Sequence, residues 1–197
     1  MGLGNLHDGK YRAEQFLAKA MREPTPLAHQ VASAILVQQQ QHEEAIVEAK
    51  RAMAADPNDA DGYAALSRAL SFAGRPREAL EAIERAMRLN PHFPSSYEYL
   101  RGLALFGLNR LAEAATSLER AGAMNPDDYW SPRLLLATYG LLDRRDDAAR
   151  LTEAVNRTRR EDRDPLSIRG VSFWYPFANA DDSSRLASGL RRAGVPD

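Results

Sequence analysis

Apolar and polar positions alternate along the chain with a helical period, and the pattern restarts about every 34 residues. The clearest stretch covers residues 60–93. Tyr63, Leu66 and Leu70 line one face of a first helix, Gly74 ends it, and Pro76 opens a second helix faced by Ala79, Ile83 and Ala86. Spacings of three and four place these side chains on one stripe. Pro at the first helical position forfeits only an N–H that has no intrahelical partner. Alanine on the stripe lets two helices approach where leucine would hold them apart. Prolines at Pro24, Pro57, Pro91, Pro126 and Pro165 follow at spacings of 33, 34, 35 and 39. Three of them sit in Asp56-Pro57, Asn90-Pro91 and Asn125-Pro126. An Asp or Asn before Pro favours a turn, and Pro cannot continue the preceding helix.

The ends depart from this rhythm. Residues 10–22, with Ala13, Leu17 and Ala20 in phase, read as the second helix of a repeat whose first helix is missing. Residues 1–9 are too short and Gly-rich to supply it, which leaves this end frayed or the chain a fragment of a longer protein. Residues 165–175 fit a short helix. Residues 181–193 fit a final amphipathic one, capped by Asp181 or Asp182, faced by Leu186 and Leu190, and closed by Gly194-Val195-Pro196.

The recurring set resembles the tetratricopeptide repeat family. Residues 60–93 carry Tyr63, Leu66, Leu70, Gly74, Ala79, Ile83, Ala86 and Pro91 at family positions, with Ser67 where Gly is usual. Residues 26–59 keep Leu36, Ala45, Ala52 and Pro57 but have His29 at the large aromatic position. Residues 95–128 keep Gly102, Leu105, Ala114, Leu118, Ala121 and Pro126. Residues 129–163 keep Leu135, Tyr139 and Ala148, with Arg160 in place of the last Pro. The resemblance implies an all-α fold: a right-handed α-solenoid of about four helix pairs with terminal capping helices. Its parts are an incomplete repeat or cap over 1–25, four repeats over 26–163, and an aromatic segment with a capping helix over 164–197. A narrower likeness joins Pro24 to Ser33, Tyr175-Pro176-Phe177 and the ending Gly189 to Pro196. These are similar to tetratricopeptide tails behind bacterial class III adenylate or guanylate cyclase domains, which implies a regulatory or interaction module without cyclase activity.

Composition agrees with helices. Ala occurs 33 times and Leu 24, against 15 for Ile, Val and Thr together. Arg outnumbers Lys 23 to 3, read as coding bias in a GC-rich, bacterial genome. A net charge of −1 gives no electrostatic footprint for nucleic acid. The Arg-rich stretch Arg144 to Arg163 carries seven Arg but also five acidic residues of alternating sign, the pattern of a solvated helix face. No run of 18 apolar residues and no secretory signal pattern are present, so the expected location is cytoplasmic, without membrane insertion. Zero Cys excludes disulfides and thiolate chemistry.

Neither a phosphate loop nor a nucleophile elbow occurs, and His7, His29, His42 and His92 form no metal spacing. His29 reads as a half-buried core histidine. Asp127-Asp128, Asp146-Asp147 and Asp181-Asp182 fall near helix starts, where they complement the helix dipole. The expectation is a non-enzyme with no cofactor and no metal.

In the family the first helix of each repeat lines a concave face. The carried-over positions are Gln30, Ala34 and Gln38; Arg68 and Phe72, with Asp61 at the rim; Tyr99, Leu103 and Phe106; and Trp130, Arg133, Ala137 and Leu141. Arg68 and Arg133 would grip carboxylates of a protein or peptide partner, and Phe72, Tyr99 and Phe106 would offer apolar pockets. Gln30 and Ala34 replace the residues of a chaperone-type carboxylate clamp, which disfavours that mode. The cluster Phe173, Trp174, Tyr175 and Phe177 either seals the last repeat or forms a self-association surface for a homodimer. The expected function is a protein-interaction scaffold. Its rivals are the regulatory tail of a cyclase-type signalling enzyme and a structural subunit of a larger complex.

Overall fold

A computed structural model of the chain describes residues 15, 17–158 and 166–197. Residues 17–20 are helical, so Leu17 and Ala20 lie in a helix as expected, while Ala13, Arg160 and Pro165 fall outside the described residues. Helices with defined bounds follow in order: α1 (Pro26–Gln38), α2 (His42–Ala55), α3 (Ala60–Phe72), α4 (Pro76–Leu89), α5 (Ser95–Gly107), α6 (Leu111–Met124), α7 (Ser131–Leu141), α8 (Arg145–Thr158), α9 (Ile168–Phe173) and α10 (Ala180–Arg192). No strand occurs among the described residues. The expected all-α solenoid is what forms.

Within each repeat the two helices are joined by the same turn. Gln40, Gly74, Asn109 and Asp143 each take a positive φ between 57° and 76°. The next N–H then reaches back to close the preceding helix: Gln41 to the Leu36 carbonyl, Arg75 to Leu70, Arg110 to Leu105 and Arg144 to Tyr139, each at 2.9 Å. This left-handed closure satisfies a carbonyl that the ending helix leaves free. Between repeats the Asp/Asn-Pro turns form as expected. Asp56, Asn90 and Asn125 accept a hydrogen bond through their side chains from the backbone N–H of Asn58, His92 and Asp127, at 3.0–3.2 Å. Thr25 and Asp59 then cap α1 and α3, and Asp128 accepts from the N–H groups of Trp130 and Ser131 at the start of α7.

The core is the seam between paired helices. Ala45, Ala49, Ala79, Ile83, Ala86, Leu105, Ala114, Leu118 and Ala121 are buried. At Gly102 an added Cβ would lie 2.6 Å from the Leu118 Cγ, so α5 and α6 meet there in close contact. Seven residues before each left-handed turn the chain places Ser33, Ser67, Gly102 and Leu136. Three are small and one is large. In keeping with that, α7 shares less surface with α8 than the other first helices share with theirs, and its widest helix contact is with α10.

Successive first helices α1, α3, α5 and α7 pack side by side and make the inner face. His29, at the aromatic position of the first repeat, is half-buried and bonded through Nδ1 to Glu48 at 2.6 Å, which Arg51 also pairs. It is a core histidine held by a carboxylate, as its position suggested. The cap of α10 differs from expectation: Asn179 accepts from the Asp181 N–H at 2.9 Å, and Asp181 and Asp182 occupy the first turn instead.

Candidate functional site

The inner face has two halves. The first is an open cleft of about 220 Å³ between α1, α3 and α5. Leu27, Gln30, Val31, Ala34, Ala64, Ala65, Arg68 and Leu100 line it. Leu27 and Val31 stand one turn apart on α1 and are 64% and 43% exposed. Across from them Arg68 is half-buried and has no ion-pair partner among the described residues. Two other polar side chains of the cleft are engaged. Gln30 donates to the Asp59 carboxylate, and Tyr97 donates through its hydroxyl to Asp61 at 2.7 Å, tying α5 to α3. Burial and the Asp61 bond both push the Tyr97 phenol well above its ordinary range, so it stays a donor.

The second half, from the end of α3 to α7, is covered by the chain itself. After α9, residues 174–179 run back across the inner face as an irregular strap. Tyr175 is buried, donates through its hydroxyl to the Trp130 carbonyl at 3.0 Å, and lies beside Tyr99. Burial pushes Tyr99 up to about 12 and Tyr175 well up. The Phe72 ring lies 6.2 Å from that of Tyr175 and 5.2 Å from that of Phe177. The Ala178 N–H donates to the Phe72 carbonyl at 2.8 Å. Trp130 meets Trp174 and Tyr175 edge-on at 5.8 and 6.3 Å.

Helix α10 then passes the ends of α5 and α7. Arg185 donates to the Phe106 and Gly107 carbonyls at 3.1 and 3.3 Å and to Asp182 at 3.0 Å. Burial raises the Asp182 carboxyl above its ordinary value. At the crossing with α7 two glycines face each other: a Cβ on Gly140 would fall 1.9 Å from the Gly189 carbonyl oxygen, and one on Gly189 would fall 2.3 Å from that of Ala137.

The residues expected at the groove therefore divide. Gln30, Ala34 and Arg68 border the open cleft, and Gln38 is exposed at the end of α1. Phe72, Tyr99, Leu103 and Phe106 are buried, Phe72 and Tyr99 directly against the strap and Phe106 beside Arg185. Leu141 is half-buried. Arg133 does not join Arg68. It is buried, stacks 3.4 Å from the centre of the Tyr129 ring, bonds the Tyr129 carbonyl, and borders another cleft between α6, α7 and α8. Of the aromatic cluster, Tyr175 and Phe177 lie on the inner face, Trp174 packs on Trp130, and Phe173 stands 69% exposed. The strap itself was not foreseen; the density of rings at 173–177 was its only signal in the sequence.

Among the described residues no three His, Asp or Glu side chains converge as a metal site would require, and no helix is long and apolar enough to cross a membrane.

Comparison with known proteins gives the repeat a name. The tetratricopeptide repeat family model matches residues 36–103. No curated protein matches the chain. Among solved structures, PilF of Pseudomonas aeruginosa aligns over 96% of this chain and 85% of its own, with a TM-score of 0.64 and 18% identity. YrrB, a TPR protein with an unusual peptide-binding site, aligns over 90% of each chain at 0.55 and 19%. The first TPR of Spaghetti (RPAP3), bound to an HSP90 peptide, aligns over 60% of this chain and 94% of its own at 0.52 and 23%. At these identities the likeness concerns the fold. It carries the tetratricopeptide resemblance and not the narrower one to cyclase tails.

Proposed function

Residues 36–103 match the tetratricopeptide repeat, and we propose that the chain is a protein-interaction scaffold that docks an extended segment of a partner protein on its inner face, in the cleft between α1, α3 and α5. The observation that carries this reading is the pairing of an exposed apolar ridge, Leu27 and Val31, with an arginine that has no ion-pair partner among the described residues. Solvent-facing apolar side chains one turn apart offer area to a partner. A half-buried guanidinium beside them selects a carboxylate and forms two parallel bonds to it. Small residues Ala34, Ala64 and Ala65 keep the floor low enough for a backbone to enter. Fold relatives that bind peptides, YrrB and the RPAP3 repeat, lend support to the same use of the fold.

The test is affinity capture with the full chain as bait, beside Val31→Asp/Arg68→Glu and, as an outer-face control, Val47→Asp, whose side chain is also exposed. A stoichiometric partner retained by the control and lost by the cleft variant is the expected outcome. A partner indifferent to the cleft variant but lost with Val47→Asp would move the site to the outer face.

A further inference from the structure

The covered half of the inner face carries an inference that does not depend on the open cleft. We propose that the surface between α3 and α7 is a recognition groove for an extended aromatic–Pro–aromatic segment, and that Tyr175-Pro176-Phe177 is its internal occupant, which a partner segment of the same pattern replaces.

The strap is bound the way a peptide is bound. It has no helix or strand of its own, and a tight turn at Pro176, from the Phe177 N–H to the Tyr175 carbonyl at 2.8 Å, holds its two rings on the same surface. Proline presets that backbone, so a segment of this pattern gives up little freedom on binding. Its polar contacts go to the groove's main chain. The Phe72 carbonyl ends α3 and has no helical N–H to accept from; the Ala178 N–H supplies the donor. The Trp130 carbonyl, at the start of α7, receives the Tyr175 hydroxyl. Any segment with a phenol and a following N–H at that spacing satisfies both groups. The remaining contacts are ring against ring, Phe72 with Tyr175 and Phe177, and Trp130 with Trp174.

The segments on either side are anchored independently. α10 is locked to α7 by the glycine crossing and by buried Leu186 and Leu190. The chain end is tied to α9 by the Ile168 N–H on the Pro196 carbonyl at 2.7 Å. The strap therefore can leave while α10 stays. Phe173, exposed at the mouth beside Trp174, extends the aromatic surface to an incoming segment. Because the occupant is tethered, it acts at an effective concentration on the order of millimolar, and a free segment of the same pattern replaces it only by binding the groove more tightly or at a comparable concentration.

That tether sets the experiment. The probe is a fluorescein-labelled peptide of residues 172–180, titrated by anisotropy against the full chain, against Phe177→Ala, and against Tyr175→Ala/Phe177→Ala. Wild type is expected to bind it at least tenfold more weakly than the double variant, with Phe177→Ala between them and a scrambled peptide binding none. Three results would overturn the proposal, the first two concerning the variants themselves. One is a double variant with wild-type helical circular dichroism that does not bind the peptide. The other is loss of helicity in both variants, since a replaceable segment does not hold the fold. Equal binding to wild type and variants would also overturn it, by placing the peptide's site elsewhere.

Discussion

Four residues bear the same backbone burden with unequal means. Gln40, Gly74, Asn109 and Asp143 all sit in the left-handed region. Gly pays nothing there, Asn and Asp are tolerated because their short side chains bond locally, and Gln has neither advantage. Gln40 is exposed, so its side chain leaves no cavity when removed. Gln40→Gly should stabilise the chain by about 0.5–1 kcal/mol, the relief of left-handed strain less the extra freedom that Gly gives the unfolded chain. Urea unfolding monitored by circular dichroism measures it; an unchanged or lower midpoint would show that Gln40 is not strained. The sequence disclosed only one of these turns, at Gly74, because only glycine advertises a positive φ. The others became visible as a class when the same 2.9 Å closure appeared in each repeat. Arg133 teaches the same lesson for the site. Its register matches a groove position, but Tyr129, four residues earlier, lies beneath it and takes up its charge.

The element that most changes the molecule is α10. Its sequence shows an amphipathic helix with Leu186 and Leu190 on one face, which is what forms. What it packs against was not legible, since an apolar stripe does not name its partner. The decision rests on Gly140 and Gly189, whose missing side chains let two backbones approach within carbonyl contact, and on Leu136, which occupies the position held by small residues in the other repeats. Gly189→Ala should cost about 1–3 kcal/mol, the range for overpacking a close contact, and should free α10 so that trypsin cuts at Arg185 or Arg191 much faster than in wild type. Gly122→Ala is the matched control. It lies inside α6 with nothing within 4 Å of an added Cβ, so it should gain up to about 1 kcal/mol from helix propensity alone. Equal cleavage rates in the two variants would deny the glycine crossing its role.

Over the whole molecule, a stack of repeats unfolds from its less supported end, because each unit gains stability from its neighbours. Here the C-terminal segment adds long-range ties. It bonds α3 through Phe72, α5 through Phe106 and Gly107, and α7 through Trp130, and packs its backbone against Gly140, so these three helices share one brace. Helix α1 receives none of these ties. Hydrogen exchange read by mass spectrometry should therefore show α1 and α2 opening well before α3 to α7, which should exchange together. Uniform protection from α1 to α7 would mean that the brace adds nothing to the stack. The asymmetry suits the proposed use: one wall of the open cleft is α1, the helix that the brace does not reach.

Periodicity, proline placement and alanine on the seam determined the helices and their pairing, because these are local properties: a spacing of three or four fixes a helical face, and Asp or Asn before Pro fixes a turn. The same periodicity placed Phe72, Tyr99, Leu103 and Phe106 on the first helices. Only the tertiary structure decided that these rings are buried and that Phe72 and Tyr99 lie under residues 175–177, while Arg68 faces an open cleft. Those contacts join positions about a hundred residues apart in sequence, as Ala178 to Phe72. They depend on shape, on an unsatisfied carbonyl at a helix end, and on two glycines meeting. None of these leaves a periodic mark along the chain.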